Sequence, residues 1–196
     1  MANVNVYADE KGSPLYLDDK LVTSIDRDKA YREGYWTRVS CTIPCNDAGG
    51  VLLELRSKSK AIMPRAWIPP TETLYNETSL ECAVRGLYEE LTIKADPSEL
   101  VDLGLEFSIN NVAVTDRYNI RQIQRYFGFR WNGDPDKLEF DKREVEAVKF
   151  WPYEQIGTPP LHQVPLDRRQ LKDIAKRLKS HGFLPRRGFM GFNFIF

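Results

Sequence analysis

Apolar residues recur at helical spacing at Leu80, Val84, Leu87 and Leu91, and predict an amphipathic helix over Glu77 to Leu91 with a buried stripe. A second stripe, Glu77, Glu81, Arg85 and Glu89, recurs every fourth residue and is charged throughout. Before this helix, Cys41 to Cys45 and Val51 to Arg56 predict two strands around the turn Asn46-Asp-Ala-Gly-Gly50. After it, Leu100 to Ser108 and Ile120 to Trp131 predict two more. The second has the apolar content of a partly buried sheet at Ile120, Ile123, Tyr126, Phe127 and Phe129. Asn132-Gly-Asp-Pro-Asp is a turn, and Val145 to Trp151 a further strand leading to a short helical turn at Tyr153 to Ile156. Short alternating runs from Val4 to Ser24 predict a leading hairpin. Pro159-Pro160 breaks the chain. Leu166 to His181 then predicts a basic amphipathic helix with Leu171, Ile174, Ala175 and Leu178 on its apolar face. Such a helix can touch nucleic acid, but packing is the commoner meaning. Strands alternating with helices make an α/β fold.

On charge alone, the stripe from Glu77 to Glu89 is a solvated face laced with ion pairs. It also sets hard oxygen ligands near one another on a rigid rod, as magnesium is held against a phosphate. The order of the residues favours the second meaning. The stretch resembles the Nudix box, G-x5-E-x7-R-E-U-x-E-E-x-G-U, where U is a bulky aliphatic. Glu77 takes the first acid position, and Arg85 follows at the required distance. Leu87 and Ile93 fill the two U positions, and Glu89 with Glu90 the acidic pair. The resemblance implies a Nudix α/β/α sandwich with a mixed sheet, extended by a C-terminal helix. It implies that Glu89 and Glu90 hold magnesium, with manganese as the alternative ion, and that Glu77 supports it. Arg85 would pair with the acids and fix their rotamers.

The box departs from the family at three places. Gly86 stands where the family has the acid after Arg, and glycine costs about 1 kcal/mol in a helix interior relative to alanine. Thr92 replaces the glycine that lets the chain leave the helix through a left-handed conformation. The lead-in Pro70-Thr-Glu-Thr-Leu-Tyr-Asn-Glu77 has no glycine, so its backbone cannot approach a diphosphate as closely. With the acid at 86 gone, Glu144 or Glu146 is the candidate base.

Arg56-Ser57, Ser59-Lys60, Pro64 and Trp67 resemble the R-S-x-x-K...P-x-x-W run of isopentenyl-diphosphate isomerases and related Nudix hydrolases. Arg32-Glu-Gly-Tyr-Trp-Thr-Arg38 resembles that group's H-x-x-G-x-x-H-R-A segment, with Tyr31 or Arg32 and Thr37 where the histidines would be. The isomerases' cysteine and histidine after the Trp are absent as well. The resemblance spans roughly Asp18 to Ile156, and it implies a substrate side built from Arg38, Arg56, Lys60 and Trp67.

Composition narrows the remaining choices. A chain of 196 residues, 42% hydrophobic, suffices for one cored domain, expected over residues 1–158, with residues 159–196 as a helix and tail packed on it. Lys+Arg and Asp+Glu both number 28, so no global charge steers the protein to nucleic acid or an anionic membrane. No apolar run reaches membrane-spanning length and no signal peptide is present, so a cytoplasmic protein is expected. Cys41, Cys45 and Cys82 are expected to be free thiols, because no second pair completes a zinc site. The two histidines, His162 and His181, leave no basis for a His-rich metal site or a Ser-His-Asp triad. Among the aromatics near the pocket (Tyr31, Tyr35, Trp36, Trp67, Tyr75, Tyr88, Tyr126 and Trp131), most are core, and a subset can stack on a base or wall a prenyl tail. The apolar end, Arg187 to Phe196, is expected to cover the domain or join two copies as a homodimer.

Three functions follow, in this order. The first is a magnesium-dependent hydrolase of a nucleoside diphosphate linked to another moiety. The second is an isomerase-like or cyclase-like enzyme on prenyl diphosphates. The third is a non-catalytic binding module.

Overall fold

Side chains alternate along the central strands between two buried faces, and a helix covers each face. The computed structural model describes residues 3–7, 21–110, 118–156 and 166–185. Its elements are β1 (Asn3–Tyr7), β2 (Leu21–Asp26), α1 (Arg27–Glu33), β3 (Trp36–Cys45), β4 (Gly50–Arg56), β5 (Trp67–Ile68) and β6 (Thr71–Thr73). There follow α2 (Ser79–Leu91), β7 (Leu100–Asn110), β8 (Arg121–Arg130), β9 (Val145–Pro152) and α3 (Arg168–Ser180).

The spine of a mixed sheet is β3 paired in parallel with β8, from Trp36–Arg121 to Cys45–Arg130. Antiparallel neighbours flank it: β7 on β8, β6 and β1 on β3, and β2 on β1. β4 meets β3 at Cys45–Val51, beside the turn. Beyond that pair the strands part, β3 taking β6 as a neighbour while β4 takes β5 and β9. Consecutive residues then point to opposite cores. Leu53 and Tyr126 pack with Ile174 and Leu178 of α3. Leu52 and Phe127 pack with Ala83, Leu87 and Leu91 of α2. The result is the α/β/α sandwich with mixed sheet that the sequence predicts. Gly128 sits under α3's end so closely that a Cβ there would lie 2.5 Å from the Phe183 ring.

The predicted strands and both long helices are present, with shifted ends. α2 begins two residues later than the spacing predicts because Thr78 caps it. Thr78 Oγ1 accepts the Glu81 N–H at 3.2 Å, and Glu81 Oε2 accepts the Thr78 N–H at 2.8 Å. Glu81 therefore serves the cap. At the other end Thr92 takes the left-handed exit at φ 55° despite its branched side chain, a conformation that costs a non-glycine residue about 1–2 kcal/mol. Its N–H reaches the Tyr88 carbonyl at 2.9 Å and its hydroxyl the Glu139 carbonyl at 3.0 Å, which hold it there.

The sequence pattern did not mark the seven-residue α1, capped by Asp26, or the short β5 and β6. Cys41, Cys45 and Cys82 are buried and unbridged. Among the described residues no helix is long and apolar enough to cross a membrane. Pro159-Pro160, His162 and the tail from Arg187 to Phe196, with its expected dimer contact, lie outside the described residues.

Candidate functional site

Where β3 and β4 part, a cavity of about 510 Å³ opens between α1, β6, β8 and the loop after β4. Its wall carries charges of both signs. Arg27, Arg56, Lys60 and Arg143 line it with cations, and Glu72, Glu90 and Glu144 with carboxylates. Tyr31, Tyr118 and Tyr126 supply aromatic surface, and Tyr31 meets Tyr118 edge to face at 6.4 Å.

Glu90 enters from α2, on the helix face opposite solvent. Its Oε2 accepts the Thr71 N–H at 3.2 Å, so the glycine-free lead-in still donates a backbone amide to the box acid. Behind Glu90 lies Glu54 of β4, an acid in the otherwise apolar run Val51-Leu-Leu-Glu-Leu55, with 1% of its surface exposed. The Glu54 and Glu90 carboxyls are near enough for each to bear on the other's protonation. Burial, and then the charges of Glu54 and Glu72, pushes the Glu90 pKa up, while burial lifts Glu54 to about 8 against the opposing charge of Arg56 and the hydrogen bond with Glu90. Glu54 Oε2 is buried with no hydrogen-bond partner. An orphaned carboxylate oxygen beside a second carboxylate is an unfinished arrangement.

A separate cluster forms around Arg85. Its Nε and Nη2 grip both oxygens of Glu77 at 3.1 and 2.6 Å. Nη1 donates to Glu89 Oε2 at 2.9 Å and lies 3.6 Å from Glu72 Oε2. Nη2 also donates to the Thr73 carbonyl at 2.9 Å, and the guanidinium stacks 4.4 Å from the Tyr75 ring centre. Partial burial opposes the charge on Glu77, yet the bonds from Arg85 and the Tyr75 N–H hold its pKa below the ordinary carboxylate value. Arg85 thus holds the Glu77 and Glu89 carboxylates in place.

The predicted metal set does not meet at one point. Glu77 and Glu89 turn to Arg85, while Glu90 turns to Glu54 and Thr71. Among the described residues no three acidic, cysteine or histidine side chains stand together as a ready ligand set. Of the predicted substrate side, Arg56 and Lys60 line the cavity. Arg38 is instead buried in an ion pair with Glu106 at 2.8 Å, and Trp67 packs edge to face on Trp151 at 5.3 Å. Glu144 lines the cavity, paired with Lys60, whereas Glu146 pairs with Arg65 and accepts the Lys58 N–H at 2.7 Å. Cys41 also lines the cavity, but burial pushes its thiol up to about 12, so it stays protonated.

Sequence reasoning missed Glu54 and Glu72. The first carries a signal, an acid inside an apolar strand. The second does not, because its meaning depends on what lies across from it. A Cβ at Gly86 would come within 2.7 Å of the Glu72 Cβ, so the helix lacks a side chain where β6 crosses it.

Comparison with known proteins adds three findings. The family model of the NUDIX domain matches residues 34–174. An RNA pyrophosphohydrolase of Agrobacterium fabrum (strain C58 / ATCC 33970) is 26% identical over 121 residues, covering 57% of this chain and 71% of that protein. In structure, the chain is similar to DR0079 from Deinococcus radiodurans, with a TM-score of 0.61, 18% identity, and coverage of 89% of this chain and 98% of that one. It is also similar to the MutT protein of Methanosarcina mazei Go1, with a TM-score of 0.56, 15% identity, and coverage of 75% and 96%.

Proposed function

The chain belongs to the NUDIX family, and from that premise we propose that it is a divalent-cation-dependent hydrolase that cleaves a diphosphate linkage in a nucleoside diphosphate derivative. One observation carries this reading: one cavity brings cations from Arg27, Arg56, Lys60 and Arg143 together with the carboxylates of Glu72, Glu90 and Glu144. A diphosphate needs the cations for its negative charge, and the carboxylates to share a hard cation with it. The donor set suits magnesium or manganese, being all carboxylate, with a buried carboxylate oxygen left without a partner at Glu54.

Glu90 is the box acid that would hold the ion, with Glu89 and Glu77 supporting it through the Arg85 clamp. A divalent cation held there would supply Lewis-acid stabilisation of the diphosphate charge and make water easier to deprotonate. Arg56 and Lys60 would bind the phosphates, and Glu144 would take the proton from the attacking water. The aromatic wall at Tyr31 and Tyr118 offers stacking surface for a base. The unbridged cysteines favour a reducing compartment such as the cytoplasm.

The test is a panel of nucleoside diphosphate derivatives and 5′-phosphorylated RNA, incubated with magnesium or manganese in ¹⁸O-water. Cleavage that places ¹⁸O in a phosphate product supports hydrolysis at phosphorus. Deuterium uptake from heavy water into a prenyl diphosphate, with the diphosphate intact, would move the protein to carbon-side chemistry. Binding with no turnover of either kind would make it a binding module.

A further inference from the structure

We propose that Gln124 of β8 reads the base of the nucleotide: its side-chain amide donates a hydrogen bond to a carbonyl oxygen of a nucleobase held against Tyr31. The protein therefore favours hypoxanthine, guanine or uracil over adenine or cytosine, which carry an amino group in that place. The inference deepens the hydrolase reading and rests on it for the nucleotide, but the donor and its orientation belong to the cavity alone.

Three observations support it. First, Gln122, Gln124 and Tyr126 follow one another at the two-residue period of β8, so their side chains form one row on a single face, and all three line the cavity. Second, that row runs between the two ends of the site. Tyr126 is in register with Cys41, whose partner on β6 is Thr71, the donor to Glu90. At the other end Gln122 Nε2 reaches the Tyr31 hydroxyl at 3.5 Å. Gln124 stands between them, one step of about 7 Å from each, beyond the phosphate end and beside a ring stacked on Tyr31. Third, the Gln124 amide is fixed in orientation and only half satisfied. The residue is 6% exposed, and its Oε1 accepts the Tyr126 hydroxyl at 2.6 Å. Among the described residues no acceptor meets its Nε2, and the side chains in register on either side, Val39 and Phe107, have none to offer. With Oε1 held by Tyr126, the amide cannot turn to present an acceptor instead. A buried N–H that lines a cavity is completed by what enters it. A carbonyl oxygen satisfies it, whereas an amino group would set donor against donor.

Calorimetry with the α,β-methylene diphosphates of inosine and adenosine, and of uridine and cytidine, reads the preference in magnesium without cleavage. In the pair that binds more tightly, the natural chain is expected to hold the inosine or uridine member by about tenfold or more over its amino counterpart. Gln124→Leu should bring that ratio close to one by weakening the favoured member. Tyr126→Phe keeps the amide but frees it to turn, so it should shrink the ratio by admitting the amino member, whereas a merely structural role for Tyr126 would weaken both members alike. Thermal unfolding of each variant separates a lost contact from a lost fold, and should both variants unfold, the ratio in the natural chain still decides. Equal binding of the two members, preference for the amino member, an unchanged ratio in a folded Gln124→Leu, or no binding of any of the four overturns the proposal. Hydrolysis in the ¹⁸O panel without base preference overturns it as well and leaves the hydrolase reading standing. A preference that depends on Gln124, with no substrate hydrolysed, keeps the base contact and removes the hydrolase reading instead.

Discussion

Arg85 reaches back from the middle of α2 to Glu77, two residues before the helix begins, and holds both its oxygens at 3.1 and 2.6 Å. The pair ties the helix to the loop that leads into it. Because the same guanidinium also holds Glu89 and the Thr73 carbonyl, it keeps the acidic elements in register.

Arg85→Lys keeps the charge but loses the planar fork. It should lower unfolding free energy by about 2 kcal/mol, the scale of two charge-assisted hydrogen bonds lost at a half-buried site. Urea denaturation measures this. A loss below about 0.5 kcal/mol would mean the clamp is a solvated surface pair.

Gly86→Ala should destabilise the protein even though alanine is the better helix former by about 1 kcal/mol. The new methyl would meet the Glu72 Cβ at 2.7 Å, and overpacking of this kind costs about 1–3 kcal/mol. A rise in melting temperature would show that β6 does not cross α2 as closely as described.

The Glu54–Glu90 pair sets a pH dependence. Both carboxyls titrate above their ordinary value because of burial, Glu54 at about 8, so the folded state holds protons that the unfolded chain releases. With a chelator present, their contribution to stability is complete below about pH 4, the unfolded carboxylate range, and is lost as pH rises towards 8. Denaturation midpoints from pH 5 to 8 should therefore fall, and Glu54→Gln should flatten the slope. A midpoint that rises over this window in chelator, with Glu54→Gln unchanged in slope, would contradict the raised values.

Lys60→Gln should raise KM for whichever diphosphate the substrate panel identifies by about tenfold, roughly the 1.4 kcal/mol of one exposed phosphate contact, while leaving stability unchanged. Lys60 is partly exposed and paired with Glu144 at the cavity mouth. If only kcat falls, the residue acts on the base and not on the phosphates.

The box helix was legible because its period and the order of its charged residues are both local. Strands β4, β8 and β9 were legible for the same reason. Glu81 was misjudged as part of a ligand stripe because the capping box at Thr78 claims it. The cavity was only half legible. Arg56, Lys60 and Glu90 of the motifs line it, as does Glu144, one of the two candidate bases, but Arg38 lies in a buried pair with Glu106, a partner 68 residues away on β7. Gly86 looked like damage from the sequence, where only its helix propensity is visible. Its spatial partner Glu72 lies outside any helical period, so the complementarity of the two exists only once β6 crosses α2.

The parallel pairing of β3 with β8 also dictates how the chain must fold. The helix that carries the box precedes β8 in sequence, yet Leu87 and Leu91 bury themselves against Phe127 and Phe129 of that later strand. On an emerging chain those leucines can meet Leu52 of β4 early, but their burial is complete only once Phe127 and Phe129 arrive, and the β3–β8 pairing must close a long loop before it is rewarded. The long-range β3–β8 pairing, not the local period of α2, therefore completes the core.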